Sequence, residues 1–350
     1  MQGGRLSHYL ALAWALLIAY ASLYPFDGWR DAGGDPLAFL TASWPRYVTG
    51  FDLATNVAAY GPLGFFLAIG LRRRYPAASA VMVAAAAGAL LSGVLELLQN
   101  YLPSRVASNL DLACNSAGGL FGALAAARWG GGLLEHGRLA RFRHRLLADR
   151  RGVDSGLILL GLWLLTQVDP GVIAFGTGEL RRLADLPAAQ PFSAGRFREI
   201  EAVIAATGLY APLMIASLLA ASRQRRLLPL ALLFAVLGVK TLAFALLRAP
   251  AEALAWATPG ALGGLGMAIL ACYASSHLVV PLQRALAALA LLVATVAVNL
   301  APANPYLEHA LQVWNPRHFL NFHGLTQFAA AVWPFLVLPW LMLLPTRENS

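Results

Sequence analysis

Residues 91–122 read LSGVLELLQNYLPSRVASNLDLACNSAGGLFG, and the fold turns on this stretch. It has the pattern of one apolar helix ending, a short polar turn, and a second helix beginning. At the junction stand Glu96, Gln99, Arg105, Asn109, Asp111 and Asn115. Ionisable and amide groups at that density cost kilocalories in a hydrocarbon-bounded segment unless they are paired or set at water depth. The stretch therefore marks a helical hairpin and a candidate site together.

Outward from it, the chain of 350 residues is 59% hydrophobic and only 12% charged, with a mean hydropathy of +0.62. A soluble domain carries about 25% charged residues. Apolar runs of roughly the 20 residues that a bilayer crossing requires recur along the whole length. They centre on residues 8–24, 51–71, 78–98, 110–127, 153–168, 200–221, 227–247, 255–275, 286–300 and 326–344. The fold class is an all-α polytopic membrane bundle of about ten transmembrane helices. Gly61-Pro62 in the second run predicts a kink or a broken, re-entrant helix. Ala19-Tyr20-Ala21 resembles a signal-peptidase site, but the aromatic-rich segment and the apolar chain behind it favour an uncleaved anchor.

Three blocks follow: a four-helix membrane unit over 1–128, a basic connector over 129–152, and a second membrane unit of about six helices over 153–350. The connector's Arg-rich pattern predicts an amphipathic helix on an anionic leaflet. The mixed-charge loop 169–198, rich in Gly and Pro, reads as a small extramembrane element.

The net charge of +9 does not point to nucleic acid, because the basic residues fall in short blocks between apolar runs. Their alternation predicts a multi-pass protein of the cell inner (plasma) membrane with both termini cytoplasmic. The polar junction then lies at the outer face. Cys114 and Cys272 sit in separate apolar segments and imply neither a disulfide nor a zinc site. His309, His318 and His323 with Glu308 match no metal-ligand spacing, so no metal or cofactor is expected.

Helical spacing groups the polar residues. Glu96 and Gln99 are three apart, while Asp111 and Asn115, like Asp52 and Asn56, are four apart, so each pair shares a face. Arg105 in the turn would hold nearby carboxylates ionised, or meet a phosphate or carboxylate bidentately. Gly118, Gly119 and Gly122, with Ala123, give the fourth helix a smooth stripe for close packing. Cys114 lacks a basic neighbour in sequence and reads as packing. Lys240 interrupts the seventh run; it would pair with Glu201 or serve a coupling role in transport.

The order Asp52…Asn56, Gly61-Pro62-Leu63-Gly64-Phe65, Glu96-x-x-Gln99, Arg105, Asp111-Leu112 and Asn115-x-x-Gly118 resembles the VanZ-like family over residues 8–128. That family is named after a membrane protein associated with low-level teicoplanin resistance. Here Asn109-Leu110 precedes Asp111, where members often carry further acids. The resemblance implies a VanZ-like membrane unit, a cell-envelope locale and a link to antibiotic resistance. The expected function is an accessory or ligand-recognising role at the outer leaflet, its partners being membrane lipids and an amphiphilic envelope lipid, glycolipid or glycopeptide. Asp52, Asn56, Glu96, Gln99, Arg105, Asp111 and Asn115 are the candidate ligand-binding residues. The same residues would serve a packing network, or an enzyme using Glu96 as general acid or base on a lipid-linked substrate. A transporter or flippase is a further alternative. No G-x-S-x-G elbow or H-E-x-x-H pair is present, so no catalytic residue is assigned.

Overall fold

The computed structural model describes residues 3–24, 26–31, 33–44, 49–130, 145–148, 152–184, 186–188, 190–302 and 323–344. Among the described residues ten apolar helices form: α1 (Gly3–Leu23), α2 (Gly50–Leu71), α3 (Ala77–Gln99), α4 (Asn109–Gly130), α5 (Val153–Thr166), α6 (Ala194–Leu219), α7 (Leu227–Leu247), α8 (Pro259–Ser275), α9 (Val280–Leu300) and α10 (His323–Leu343). Seven are long and apolar enough to cross a membrane, and α1, α5 and α8 contribute shorter apolar stretches. Among the described residues no strand forms; Leu147 and Ala220 make one isolated antiparallel bridge. The protein is an all-α helical membrane bundle. Its chain divides into two compact units, residues 1–142 and 143–350.

In the first unit α2 and α4 are the most closely apposed pair, because glycines remove the side chains between them. A methyl group on Gly118 would overlap the carbonyl of Val57, and one on Gly122 would overlap the carbonyl of Gly61. On the facing helix, a methyl on Gly64 would overlap the carbonyl of Gly119. Backbone lies directly on backbone there, the geometry by which small residues associate helices where the hydrophobic effect cannot. This contact also corrects the expected break at Gly61-Pro62: α2 runs continuously from Gly50 to Leu71 with Pro62 inside it. Neighbouring helices can support the backbone that a proline frees, and α4 lies flush along this segment.

Side chains close both ends of the α2–α4 pair. Thr49 and Asp52 form a reciprocal capping box at the start of α2. At the opposite end Arg72 Nη1 donates to the carbonyls of Ala126 (3.1 Å) and Ala127 (2.9 Å), satisfying the last turn of α4.

The second unit is organised around α6, whose Leu209, Met214, Ile215 and Leu219 are fully enclosed and which packs against α5, α7, α8 and α9. The Trp333 indole of α10 donates to the Leu159 carbonyl of α5 at 2.7 Å. The loop over 169–198, expected as a small extramembrane element, differs in burial between its halves. Residues 169–178 are almost wholly buried, with Phe175 enclosed and its carbonyl against Gly208 of α6. Gly178 N–H donates to Ala330 O at 2.7 Å, while the Asn299 amide donates to Gly178 O and its oxygen accepts from Leu180 and Arg181 N–H. Irregular backbone survives at depth only when its polar groups are satisfied in this way. Gly176 and Gly178 therefore serve close approach rather than an exposed turn.

Several expectations lie outside the described residues: the amphipathic helix over most of the connector, and Glu308, His309 and His318.

Candidate functional site

Four long-range bonds draw the helix ends and loops at one end of the first unit together. Gln99 Nε2 donates to Ser22 O (3.0 Å), Asn100 Nδ2 to Pro36 O (2.9 Å), Asn109 Nδ2 to Ala42 O (2.6 Å) and Arg30 N–H to Tyr101 O (2.9 Å). The C-terminal ends of α1 and α3 and the N-terminal ends of α2 and α4 thus share one end of the bundle.

At that end the polar residues form two layers, one helical turn apart. Each of three helices supplies one residue to each layer: α2 gives Asn56 and Tyr60, α3 gives Glu96 and Ser92, α4 gives Asp111 and Asn115. Every pair is spaced by four, so its two residues share a face about 6 Å apart along the helix axis. In the layer nearer the end, Asn56 Nδ2 donates to Asp111 Oδ1 at 2.7 Å, and Glu96 Oε2 accepts the Ser108 N–H at 2.8 Å. Ser108 also closes the first turn of α4, its hydroxyl accepting from Asp111 N–H at 3.3 Å. In the deeper layer Asn115 Nδ2 donates to Ser92 Oγ at 2.9 Å, and the enclosed Tyr60 hydroxyl lies beside Ser92.

The satisfaction of these groups is incomplete. Asn115 is 6% exposed, and its Oδ1 is buried with no hydrogen-bond partner. Glu96 and Asp111 each commit one carboxylate oxygen, and among the described residues the other makes no hydrogen bond. Asp111 acts electrostatically on Glu96, and Asp52 on Asp111.

The cation expected among these acids is turned elsewhere. Arg105 Nη2 donates to Ala21 O and Tyr24 O, both at 2.9 Å, and Nε reaches Tyr24 O at 3.3 Å. Arg105 therefore closes the C-terminal end of α1, where unpaired carbonyls and the negative end of the helix dipole attract a cation. Burial lowers its guanidinium from the ordinary value, yet such a group stays charged at neutral pH. Gln99 performs the same service for Ser22, so two of the seven predicted site residues are spent on α1. Asp52 is exposed and caps α2, accepting from Thr49 N–H at 3.0 Å and Thr49 Oγ1 at 2.7 Å. The remaining four, Asn56, Glu96, Asp111 and Asn115, form the polar core. Tyr60 and Ser92 complete it and were missed from sequence, although each stands one turn from a residue already chosen.

Cys114 is a free, half-buried thiol. Among the described residues no group of His, Cys, Asp and Glu has the arrangement of a metal site.

In the second unit the expected pair of Lys240 with Glu201 does not form. Glu201 Oε2 accepts from Thr258 Oγ1 at 2.7 Å at the start of α8. Lys240 is fully buried in α7, its Nζ without a hydrogen-bond partner and 5.9 Å from the centre of the Phe244 ring. The charge acting on it belongs to Asp169 in the buried segment, whose oxygens accept from Gly171 N–H (2.7 Å) and Thr326 Oγ1 (2.9 Å).

Residues 8–130 match the family model described as VanZ/LLP1, an interval that spans α2, α3, α4 and nearly all of α1. This region is VanZ-like. The VanZ-like region thus contains both polar layers and the glycine contact between α2 and α4. No curated protein and no solved structure matches the chain.

Proposed function

We propose that the VanZ-like unit recognises the polar head of an amphiphilic cell-envelope component at the outer end of α2, α3 and α4. The observation that carries this reading is the buried Asn115 oxygen without a partner, one turn below carboxylates that each keep an oxygen uncommitted. A buried polar atom without a partner costs roughly 1–3 kcal/mol, so a cluster kept solely for packing would be expected to close on itself. The orientation rests on loop charge. Arg72, Arg73, Arg74 and Arg128 lie at the opposite end of this unit, and basic residues favour the cytoplasmic side. In this reading the protein is an inner-membrane envelope component in which the glycine-packed α2 and α4 hold a head-group site, while lipid-facing helix surfaces receive the acyl chains.

The test is lipid retention. The purified full chain is equilibrated with an envelope lipid extract and retained lipids are identified by mass spectrometry, beside Asn115→Leu and Asn56→Leu. The expected result is one retained class, lost in both variants at an unchanged thermal midpoint. An identical retained profile in all three proteins would overturn the reading.

A catalytic reading draws support from one fact, the enclosed Glu96 with Tyr60 close by. It predicts turnover of labelled envelope lipids that Glu96→Gln abolishes. Retention without turnover keeps the recognition reading.

A further inference from the structure

We infer that the head group taken by this site carries a primary ammonium, and that the site selects against anionic and fully N-methylated heads. The inference rests on the recognition reading and specifies its ligand.

The unmet demand of the site is for hydrogen-bond donors. Its uncommitted atoms are acceptors: the second oxygen of Glu96, the second oxygen of Asp111 and the Asn115 Oδ1. Of the donors nearby, the Asn56 amide binds Asp111, the Asn115 amide binds Ser92 and the Ser108 N–H binds Glu96, and the others are neutral hydroxyls and amide N–H groups without positive charge. Arg105, which would have suited an oxyanion, points its guanidinium at α1. An anion arriving here would meet carboxylates and carbonyl oxygen.

A primary ammonium offers three N–H donors and one positive charge. The site offers three acceptors on α3 and α4, two of them carboxylate oxygens and the third one turn deeper. Charge-assisted hydrogen bonds to carboxylates are about twice as strong as neutral ones. A quaternary head keeps the charge but has no N–H to give, and would leave Asn115 unsatisfied.

The wider field is net negative. Every Asp and Glu in the first 130 residues, namely Asp27, Asp31, Asp35, Asp52, Glu96 and Asp111, belongs to this end of the unit. Arg30 and Arg105 stand there too, so the end carries an excess of acids, and such an excess concentrates ligands of the opposite charge.

The experiment measures binding of phosphatidylethanolamine, its mono- and dimethyl derivatives, phosphatidylcholine and phosphatidylglycerol, all with the same acyl chains, to the purified full chain in mixed micelles. Affinity is expected to fall stepwise with N-methylation. The total difference between the primary amine and the quaternary head should be about ten-fold or more, as the loss of one charge-assisted hydrogen bond implies. Glu96→Gln, which keeps an acceptor for Ser108 N–H, and Asp111→Asn should each erase that preference. Competition by soluble glycerophosphoethanolamine separates the sources of the amine. Displacement by the soluble head assigns the site to free amines, and no displacement assigns it to lipids; the ammonium stands in both. Equal binding of all five lipids, or preference for phosphatidylglycerol, would overturn the ammonium while leaving recognition intact. Absence of binding by every lipid and by the soluble amine would remove the recognition reading itself.

Discussion

Glu96 divides its two oxygens between tasks, one holding the Ser108 N–H at the start of α4 and one uncommitted. Substitutions separate the two. Glu96→Gln retains a carbonyl acceptor and should leave the unfolding midpoint near that of the parent. Glu96→Ala strands the Ser108 N–H in a buried position and should lower stability by about 1–3 kcal/mol, read by chemical denaturation in detergent. Equal stability of the two variants would show that the Ser108 bond contributes nothing. Arg105 gives a second contrast. Because its guanidinium closes α1, Arg105→Ala should cost about 1.5–3 kcal/mol of stability, the range for hydrogen bonds from a charged donor, without changing which head groups bind. A loss of binding at unchanged stability would return Arg105 to the ligand. At this scale the sequence was informative wherever helical period alone decides, so Asn56, Glu96, Asp111 and Asn115 could be placed together. It could not reveal that Gln99 and Arg105 serve carbonyls some eighty residues earlier in the chain, because such contacts depend on where α1 ends in space.

At the level of helices, the α2–α4 contact depends on which side of each glycine faces the partner. Gly61 has open space where a methyl would stand, although its carbonyl meets Gly122. Gly61→Ala should therefore be neutral or stabilising by about 0.5–1 kcal/mol, since alanine orders more cheaply in a helix. Gly122→Ala places a methyl into the Gly61 carbonyl and should destabilise by about 3 kcal/mol or more, as overpacking against backbone leaves no side chain to yield. Comparable midpoints for the two would mean that α2 and α4 are not held backbone to backbone. The stripe Gly118-Gly119-x-x-Gly122 was legible from spacing. The continuity of α2 through Pro62 was not, because local propensity says nothing of the helix lying alongside. The burial of 169–178 was not legible for a related reason: Gly and Pro punctuate exposed turns and tight internal crossings alike.

At the scale of the whole molecule, the acids of residues 1–130 stand at one end of the first unit with Arg30 and Arg105, while Arg72, Arg73, Arg74 and Arg128 gather without acids at the other, which predicts its orientation in a bilayer. Ser104 and Arg73 are exposed at these two ends. A cysteine at Ser104 should react with an impermeant thiol reagent added outside intact cells. One at Arg73 should react only after the membrane is opened. The reverse pattern would place the polar layers at the cytoplasmic face and remove an outer-leaflet ligand from consideration.

Lys240 is the only lysine in the chain, and it is sealed in α7. Amine-directed reagents therefore have a single side-chain target, and they can reach it only when the second unit opens. Acylation of Lys240, followed by mass spectrometry over hours, becomes a clock for that opening. Its rate should be independent of reagent concentration once opening limits it, and should slow whenever a ligand holds the helices closed. A rate that matched a free amine would mean that the helices around α7 part readily, and the clock would then time their breathing rather than their rupture.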